Sequence, residues 1–344
     1  MPVGSFLREQ SIGETRWVAL DTDGVPVALY LERETDTARR ARLGERLEAR
    51  VRKLDAATGG AFVDLGAKGE AFLRLGAKEA LTEGAGVTVE VVAEARRGKL
   101  ARAALARGPA GSTGAARWRE TLMGGAGAKT EDRAAGDAEV AAAFEDALSA
   151  RVTLPGGGVM QIARTEALVA ADIDTSGRAA RGGRAALAFG VNLAAARELA
   201  RQAHLRGLGG LMVLDCVSPV DAGAGGEVRA AFLEAWRAIS SRQVKALAPS
   251  AFGLMEVSAD WQGAPLEDRM AEAAEAAALA GLRQLEAAAR QARMTRLTLA
   301  LPRAAAAWLA ASGLGAEARL AETYGARLTI TGADRDDPDV TETP

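Results

Sequence analysis

The chain has 344 residues, enough for two or three domains, and 49% hydrophobic content supports cores of ordinary size, so global disorder is excluded. A net charge of −2 does not mark the whole chain as a nucleic-acid binder, so any such role has to rest on local basic clusters. A single Cys excludes an internal disulfide and any multi-Cys zinc site.

Arg16 to Glu32, "RWVALDTDGVPVALYLE", alternates in hydropathy and breaks at Asp23-Gly24, which predicts a hairpin. From Arg46 to about Leu105 the segments "RLEARVRKLD", "GGAFVDLG", "GEAFLRL", "GVTVEVVAEA" and "KLARAALA" read as five short strands with Gly turns between them. That spacing suggests a small barrel of the OB type. Phe62 and Phe72 are its only aromatics, and Arg52, Lys53, Arg96, Arg97 and Lys99 share the stretch. Aromatics beside cations on a barrel face suit single-stranded RNA, whereas two core Phe residues would carry no such meaning. The alternation favours the first reading for Phe62: Val63 and Leu65 take one face of their strand, and Phe62 and Asp64 take the other.

Between Gly108 and Gly136 periodicity is lost in a Gly/Ala-rich run that reads as a linker or mobile loop. A short helix over 139–150 follows. Then come two apolar runs that end in acids. "ALVAADIDTSG" (Ala167 to Gly177) closes on Asp172 and Asp174, which a strand places on one face. "GLGGLMVLDCVSP" (Gly207 to Pro219) closes on Asp215. The amphipathic "VNLAAARELARQAHLR" lies between them, so the pattern is βαβ, with parallel strands in one sheet. Acids at the carboxyl ends of such strands stand where open α/β sheets place their sites, and hard oxygen ligands suit magnesium or manganese. The plainer alternative is that the acids are solvated loop residues. Cys216 reads as a small core residue, and His204, the only His, lies on the helix with no Gly-x-Ser-x-Gly elbow to serve, so a Ser/His/Asp hydrolase is not expected.

Beyond Asp215 the reading is a loop "SPVDAGAGGE", a helix over 228–240, strands over 243–247 and 253–258, and a long Ala/Glu/Arg helix over 271–293. A strand, two helical pieces and a strand then make a small α/β appendage, and the acidic end "RDDPDVTETP" reads as disordered. With no signal peptide at "MPVGSFLREQ" and no apolar run of about 18 residues, a cytoplasmic location without membrane contact is expected.

Several of these blocks, in order, resemble the ribonuclease E/G family of bacterial endoribonucleases. "GGAFVDLGAKGEAFLRL" resembles its OB-fold RNA-binding barrel. "PGGGVMQIARTEALVAADIDTSG", "VNLAAARELARQAHLRGLGGLMVLDCV" and "SAFGLMEVS" resemble consecutive blocks of its catalytic core. The likeness covers roughly residues 14–107 and 140–270. It implies an α/β catalytic core with RNase H-like and DNase I-like elements and an inserted OB-fold β-barrel, to which the small C-terminal α/β appendage read above is added. The implied division is 1–40 (N-terminal hairpin part of the core), 41–107 (barrel), 108–138 (linker in place of a sensor domain), 139–270 (catalytic α/β), 271–335 (C-terminal helix and appendage) and 336–344 (tail).

For the site, the resemblance implies magnesium, or manganese, on Asp172 and Asp215, and unpaired RNA held by Phe62, Phe72 and Lys99. The family's Asn in D-I-N is Asp174 here, which adds charge and is either a third metal ligand or an orienting group. Arg178, Arg181 and Arg184 follow directly and suit phosphate neutralisation or, more plainly, a solvated loop. Other positions depart from the family. Ser218 replaces a second acid, "ADWQGAP" replaces a basic stretch, the RNA 5′-end sensor has no counterpart of adequate length, and the Cys pair of the zinc-link is absent, so no zinc-bridged dimer is expected. The resulting expectation is a magnesium-dependent endoribonuclease acting on single-stranded RNA. The alternative is a degenerate, non-catalytic RNA-binding homologue.

Overall fold

The computed structural model describes residues 2–76, 79–178 and 182–343. Three strands, β1 (Val3–Ser11), β2 (Glu14–Asp21) and β3 (Pro26–Arg33), open the chain, and α1 (Asp36–Arg39) leads out of them. The hairpin predicted at Asp23-Gly24 is β2–β3, closed by the Asp21 carboxylate accepting the backbone N–H groups of Asp23 and Val25.

All five expected barrel strands are present: β4 (Arg46–Asp55), β5 (Gly60–Asp64), β6 (Glu70–Arg74), β7 (Gly86–Ala93) and β8 (Ala101–Leu105). They close in the order β4-β5-β6-β8-β7. Small and branched side chains fill the interior, among them Ala49, Val51, Ala61, Val63, Leu73, Val89 and Val91. With so little volume inside, the two Phe rings have no place there.

The stretch expected as a linker is structured. It carries α2 (Gly114–Glu120) and β9 (Lys129–Arg133), and β9 pairs in parallel with β1 to complete a four-stranded sheet β3-β2-β1-β9. Trp118 of α2 is buried against Phe6 and stacks on Tyr30. Anchorage by one aromatic and one strand pairing leaves no periodic signal in a Gly/Ala-rich run. The opposite face of this sheet packs on α3 (Ala138–Leu148) through Val140 and Phe144. Asp137 caps α3, accepting from the Glu139 and Val140 N–H groups.

Next comes a six-stranded sheet, β10-β11-β12-β13-β15-β14, made of β10 (Arg151–Thr153), β11 (Val159–Arg164), β12 (Val169–Asp174), β13 (Gly210–Asp215), β14 (Val244–Ala246) and β15 (Leu254–Ala259). Helix α4 (Gly183–Leu205) makes the crossover from β12 to β13, and the two strands are parallel as expected. Helix α5 (Ala222–Ile239) begins about six residues earlier than the sequence suggested. The Asp221 carboxylate accepts the Ala224 N–H and starts the helix through the glycines. Both helices lie on one face of the sheet, where Val169, Ala171, Met212 and Leu214 meet Val191, Leu199, Phe232 and Trp236.

Helix α6 (Leu266–Met270) leads to α7 (Ala273–Gln291), which packs on the three-stranded sheet β17-β16-β18. In that sheet β16 (Arg296–Pro302) runs parallel to β17 (Leu328–Ala333), with α8 (Arg303–Ala311) and α9 (Ala316–Tyr324) between them. The acidic end, expected to be disordered, supplies β18 (Asp339–Thr343), antiparallel to β16. Pairing with an existing edge orders a segment whose composition predicts no strand. Helix α7 is also tied to the first sheet through charge. The buried Glu14 carboxylate meets Arg16 and Arg33 at 3.0 Å each and Arg283 of α7. Among the described residues no helix is long and apolar enough to cross a membrane.

Candidate active site and nucleic-acid surface

The six-stranded sheet is covered on one side only. Along β12 the buried residues are Val169, Ala171 and Ile173, and Asp172 and Asp174 are exposed; along β13 Met212 and Leu214 are buried and Leu211 and Asp215 are exposed. The last paired residues of these strands are Ala171 and Leu214. Asp172 and Asp215 each come one residue later, so they stand side by side at the carboxyl ends of neighbouring strands, on the uncovered face. Strand spacing puts their backbones about 5 Å apart. Gln161 of β11 lies opposite Asp172, and Leu254 of β15 lies opposite Asp215.

Among the described residues no ion pair or side-chain hydrogen bond engages Asp172 or Asp215. Asp174 differs. Its Oδ1 accepts the Ser176 N–H at 2.9 Å, and the Ser176 hydroxyl and backbone together hold its pKa below the usual Asp value. It closes the turn that leaves β12. No group of three or more His, Cys, Asp or Glu side chains among the described residues is gathered tightly enough to hold a metal. Two carboxylates do satisfy magnesium, which keeps several waters and takes one or two protein carboxylates beside a phosphate.

The loop after Asp215 is pinned from below. Buried Asn192 of α4 donates to the Val217 carbonyl at 2.9 Å and accepts the Val217 N–H at 2.8 Å. Cys216 is buried as expected, and burial, with the Asp215 charge beside it, pushes its thiol up to about 12, far from a nucleophile. His204 is buried against Trp236 and Arg242, and desolvation and that guanidinium hold its pKa well below 6.5. It is a neutral core residue, with no part in the site.

Of the three Arg residues after β12, the two described ones differ in their surroundings. Arg178 donates to the Pro155 and Gly157 carbonyls at 3.1 and 2.8 Å, bracing the β10–β11 turn. Its guanidinium is spent on backbone, which the sequence alone did not reveal. Arg184 is exposed in the first turn of α4. Arg181 lies outside the described residues.

On the barrel, Phe62 and Phe72 are cross-strand partners whose rings meet edge to face at 5.6 Å. Both are half-buried on the outer surface, as the alternation indicated, with Val63 and Leu65 inside. Gly60 makes room for them: a Cβ there would fall 2.3 Å from the Phe72 ring. Register extends the pair sideways into a row, Lys53–Phe62–Phe72–Arg102.

Arg102 leads to a cleft between barrel and sheet. The cleft has a volume of about 760 Å³ and is lined by Arg96, Arg97, Lys99, Arg164, Leu211 and Trp261, among others. The Arg96 guanidinium sits 4.5 Å over the Trp261 ring, and its Nη1 is buried without a hydrogen-bond partner. Burial, then Arg102 and Arg164 nearby, lower its pKa; Glu166 and Glu267 line the same cleft. Asp268 takes Arg164 as a bidentate partner at 2.5 and 3.1 Å and accepts the Arg97 N–H at 2.8 Å, locking barrel to sheet. The barrel's 96–99 turn brings Arg96, Arg97 and Lys99 to the cleft beside the segment after "GLMEVS", whose Trp261 packs under Arg96. The sequence reading missed this Arg96–Trp261 pair because its members lie far apart in the chain. The cleft opens at Leu211, about 13 Å along β13 from Asp215.

Residues 127–261 match the model of the Ribonuclease E/G family. Ribonuclease E of Escherichia coli (strain K12) is 42% identical over 122 residues, which is 35% of this chain and 11% of that protein. Ribonuclease E of Haemophilus influenzae is 40% identical over 122 residues, 35% of this chain and 13% of that protein. The chloroplastic ribonuclease E/G-like protein of Arabidopsis thaliana is 36% identical over 124 residues, 35% of this chain and 12% of that protein. The aligned stretch therefore spans only about a tenth of these relatives' lengths. The matched family segment contains both acids and the whole six-stranded sheet. The barrel and the C-terminal unit lie outside it.

Proposed function

We propose, on the premise that the chain is a relative of the ribonuclease E/G family through residues 127–261, that it is an endoribonuclease cutting single-stranded RNA at Asp172 and Asp215. The observation that carries this reading is the pair itself: two exposed carboxylates, with no side-chain partner among the described residues, on adjacent strand ends inside the matched segment. Like charges at that spacing repel, and a divalent cation between them removes the cost. We read the six-stranded sheet as the DNase I-like element and the four-stranded sheet with α3 as the RNase H-like element of the family's core. The five-stranded barrel is its OB-like RNA platform.

Asp172 and Asp215 would hold a magnesium ion, which when bound polarises a phosphoryl oxygen and acidifies a water. The chain's own residues do the rest. Asp174 holds the turn after β12, so Asp172 keeps its direction. Asn192 holds the loop after Asp215 in the same way. The Phe62–Phe72 pair offers two faces for unpaired bases, and Arg96, Lys99 and Arg102 take the phosphates between barrel and sheet.

The test incubates the purified protein with a labelled unstructured RNA, with and without magnesium, beside Asp172→Asn. Magnesium-dependent cleavage that Asp172→Asn abolishes supports the reading. RNA binding without cleavage under every condition would instead establish the non-catalytic homologue.

A further inference from the structure

Of the seven Phe residues, Phe252 alone is fully exposed, at 88%. An uncovered Phe side chain forgoes about 2 kcal/mol of burial, and here the chain makes no use of mobility to hide it. The turn that carries it is fastened on both sides. Ser250 N–H donates to the Leu254 carbonyl at 3.0 Å, Gly253 N–H donates to the Ser250 carbonyl at 2.9 Å, and the Ser250 hydroxyl accepts the Phe252 N–H at 3.3 Å. The Cys216 N–H then donates to the Gly253 carbonyl at 3.0 Å, tying the turn to the residue after Asp215. Gly253 has φ of 84°, and a Cβ there would meet the Cys216 carbonyl at 3.2 Å, so this close approach requires Gly.

The position of the turn gives the ring a use. Leu254 lies directly opposite Asp215 in the ladder. Phe252 is two residues further on, so its backbone lies within about 8 Å of that of Asp215. A fastened turn thus carries an exposed aromatic residue at the rim of the uncovered sheet face, with its backbone beside the acid pair. It is remote in sequence from the aromatics of the barrel, and no ring among the described residues stacks on it.

We infer that Phe252 is the stacking platform for the nucleobase next to the scissile phosphate. It is a positioning residue distinct from the Phe62–Phe72 pair. The inference rests on the proposed RNA-cleaving role of Asp172 and Asp215. An unpaired base has an apolar face of matching size, and its phosphate has to sit at the acids. Gripping the base on one side of the cut and the strand on the barrel at the other would hold the bond in line.

The experiment compares wild type, Phe252→Ala, Phe252→Leu and Phe252→Trp on unstructured RNA oligonucleotides carrying 2-aminopurine at successive positions. Binding, cleavage and base fluorescence are read on each. Phe252→Ala is expected to raise the dissociation constant roughly 5- to 150-fold, the loss of one base–aromatic stack. Phe252→Leu should resemble Ala, and Phe252→Trp should stay near wild type. Fluorescence should be quenched at one position next to the cut, and that quench should vanish in Phe252→Ala. Melting temperature should hardly move in any variant, because the ring is 88% exposed. If wild type binds and cleaves, and Phe252→Ala leaves affinity and quenching unchanged, this inference falls while the nuclease reading stands. If wild type neither binds nor cleaves RNA, both fall. A shift of Phe252→Ala from dimer to monomer in sedimentation, with RNA affinity intact, would overturn it in favour of a contact between copies.

Discussion

Asp172→Asn is expected to move activity and stability in opposite directions. The side chain is exposed, has no hydrogen-bond or ion-pair partner among the described residues, and sits beside Asp215 at about the 5 Å spacing of adjacent strands. Two unit charges that far apart in a water-like dielectric repel by about 1 kcal/mol, less in salt. Neutralising one removes that repulsion and deletes no packing. The variant should therefore melt at the wild-type temperature or about 1–2 °C above it in metal-free buffer. On the proposed reading its cleavage rate should fall at least about 100-fold, because a carboxylate ligand to the magnesium ion would be lost and with it several kcal/mol of transition-state stabilisation. Asp215→Asn should behave alike, and the two together should be no worse than either alone. Calorimetric melts with and without magnesium, run beside a gel-based cleavage assay, measure both quantities. Wild-type cleavage in either variant would refute the assignment. A drop of several degrees would refute the premise that these carboxylates hold nothing in place.

Phe62→Ala should weaken single-stranded RNA binding by about 1–3 kcal/mol, while stability falls by only about 0.5–1.5 kcal/mol with loss of the edge-to-face contact to Phe72; filter binding and a urea melt separate the two. Arg96→Gln should reduce RNA affinity across sequences and lower the salt slope of binding by about one, measured by titrations at several salt concentrations. Glu14→Gln should destabilise the chain by about 3–5 kcal/mol, because Arg16, Arg33 and Arg283 would keep their charges in a buried site without their carboxylate. Three guanidiniums pull the Glu14 pKa down from 4.5 to about 2 against the opposing effect of burial, so its contribution is complete above about pH 4.5 and lost as pH falls toward 2. Glu9 nearby has the opposite sign. Burial raises its pKa, so what it contributes is present at low pH and lost as pH rises through that value. Urea midpoints across pH should therefore fall steeply only below about 4.5, and Glu14→Gln should flatten that limb.

The barrel was legible in the sequence because each strand carries its own period-two alternation and each turn its own Gly. That local information also turned Phe62 outward, since small residues claimed the interior. The βαβ order, the parallel strands and their acid ends were legible for the same reason. The tertiary structure alone decided that β12 and β13 are immediate neighbours in register, which makes two strand-end acids into a pair, and that both helices cover the same face, which leaves the pair open. It decided the fate of the 108–138 run and of the acidic end. Both become edge strands through partners more than thirty residues away, β1 and β16, and pairing of that kind leaves no mark on composition. It also sorted cations of equal appearance. Arg178 went to carbonyls and Arg164 to Asp268, while Arg96 was left over Trp261 at the wall of the cleft, with one nitrogen buried and unpartnered among the described residues. A sequence records which charges exist; only the packing determines which of them are already neutralised and which remain to meet a ligand.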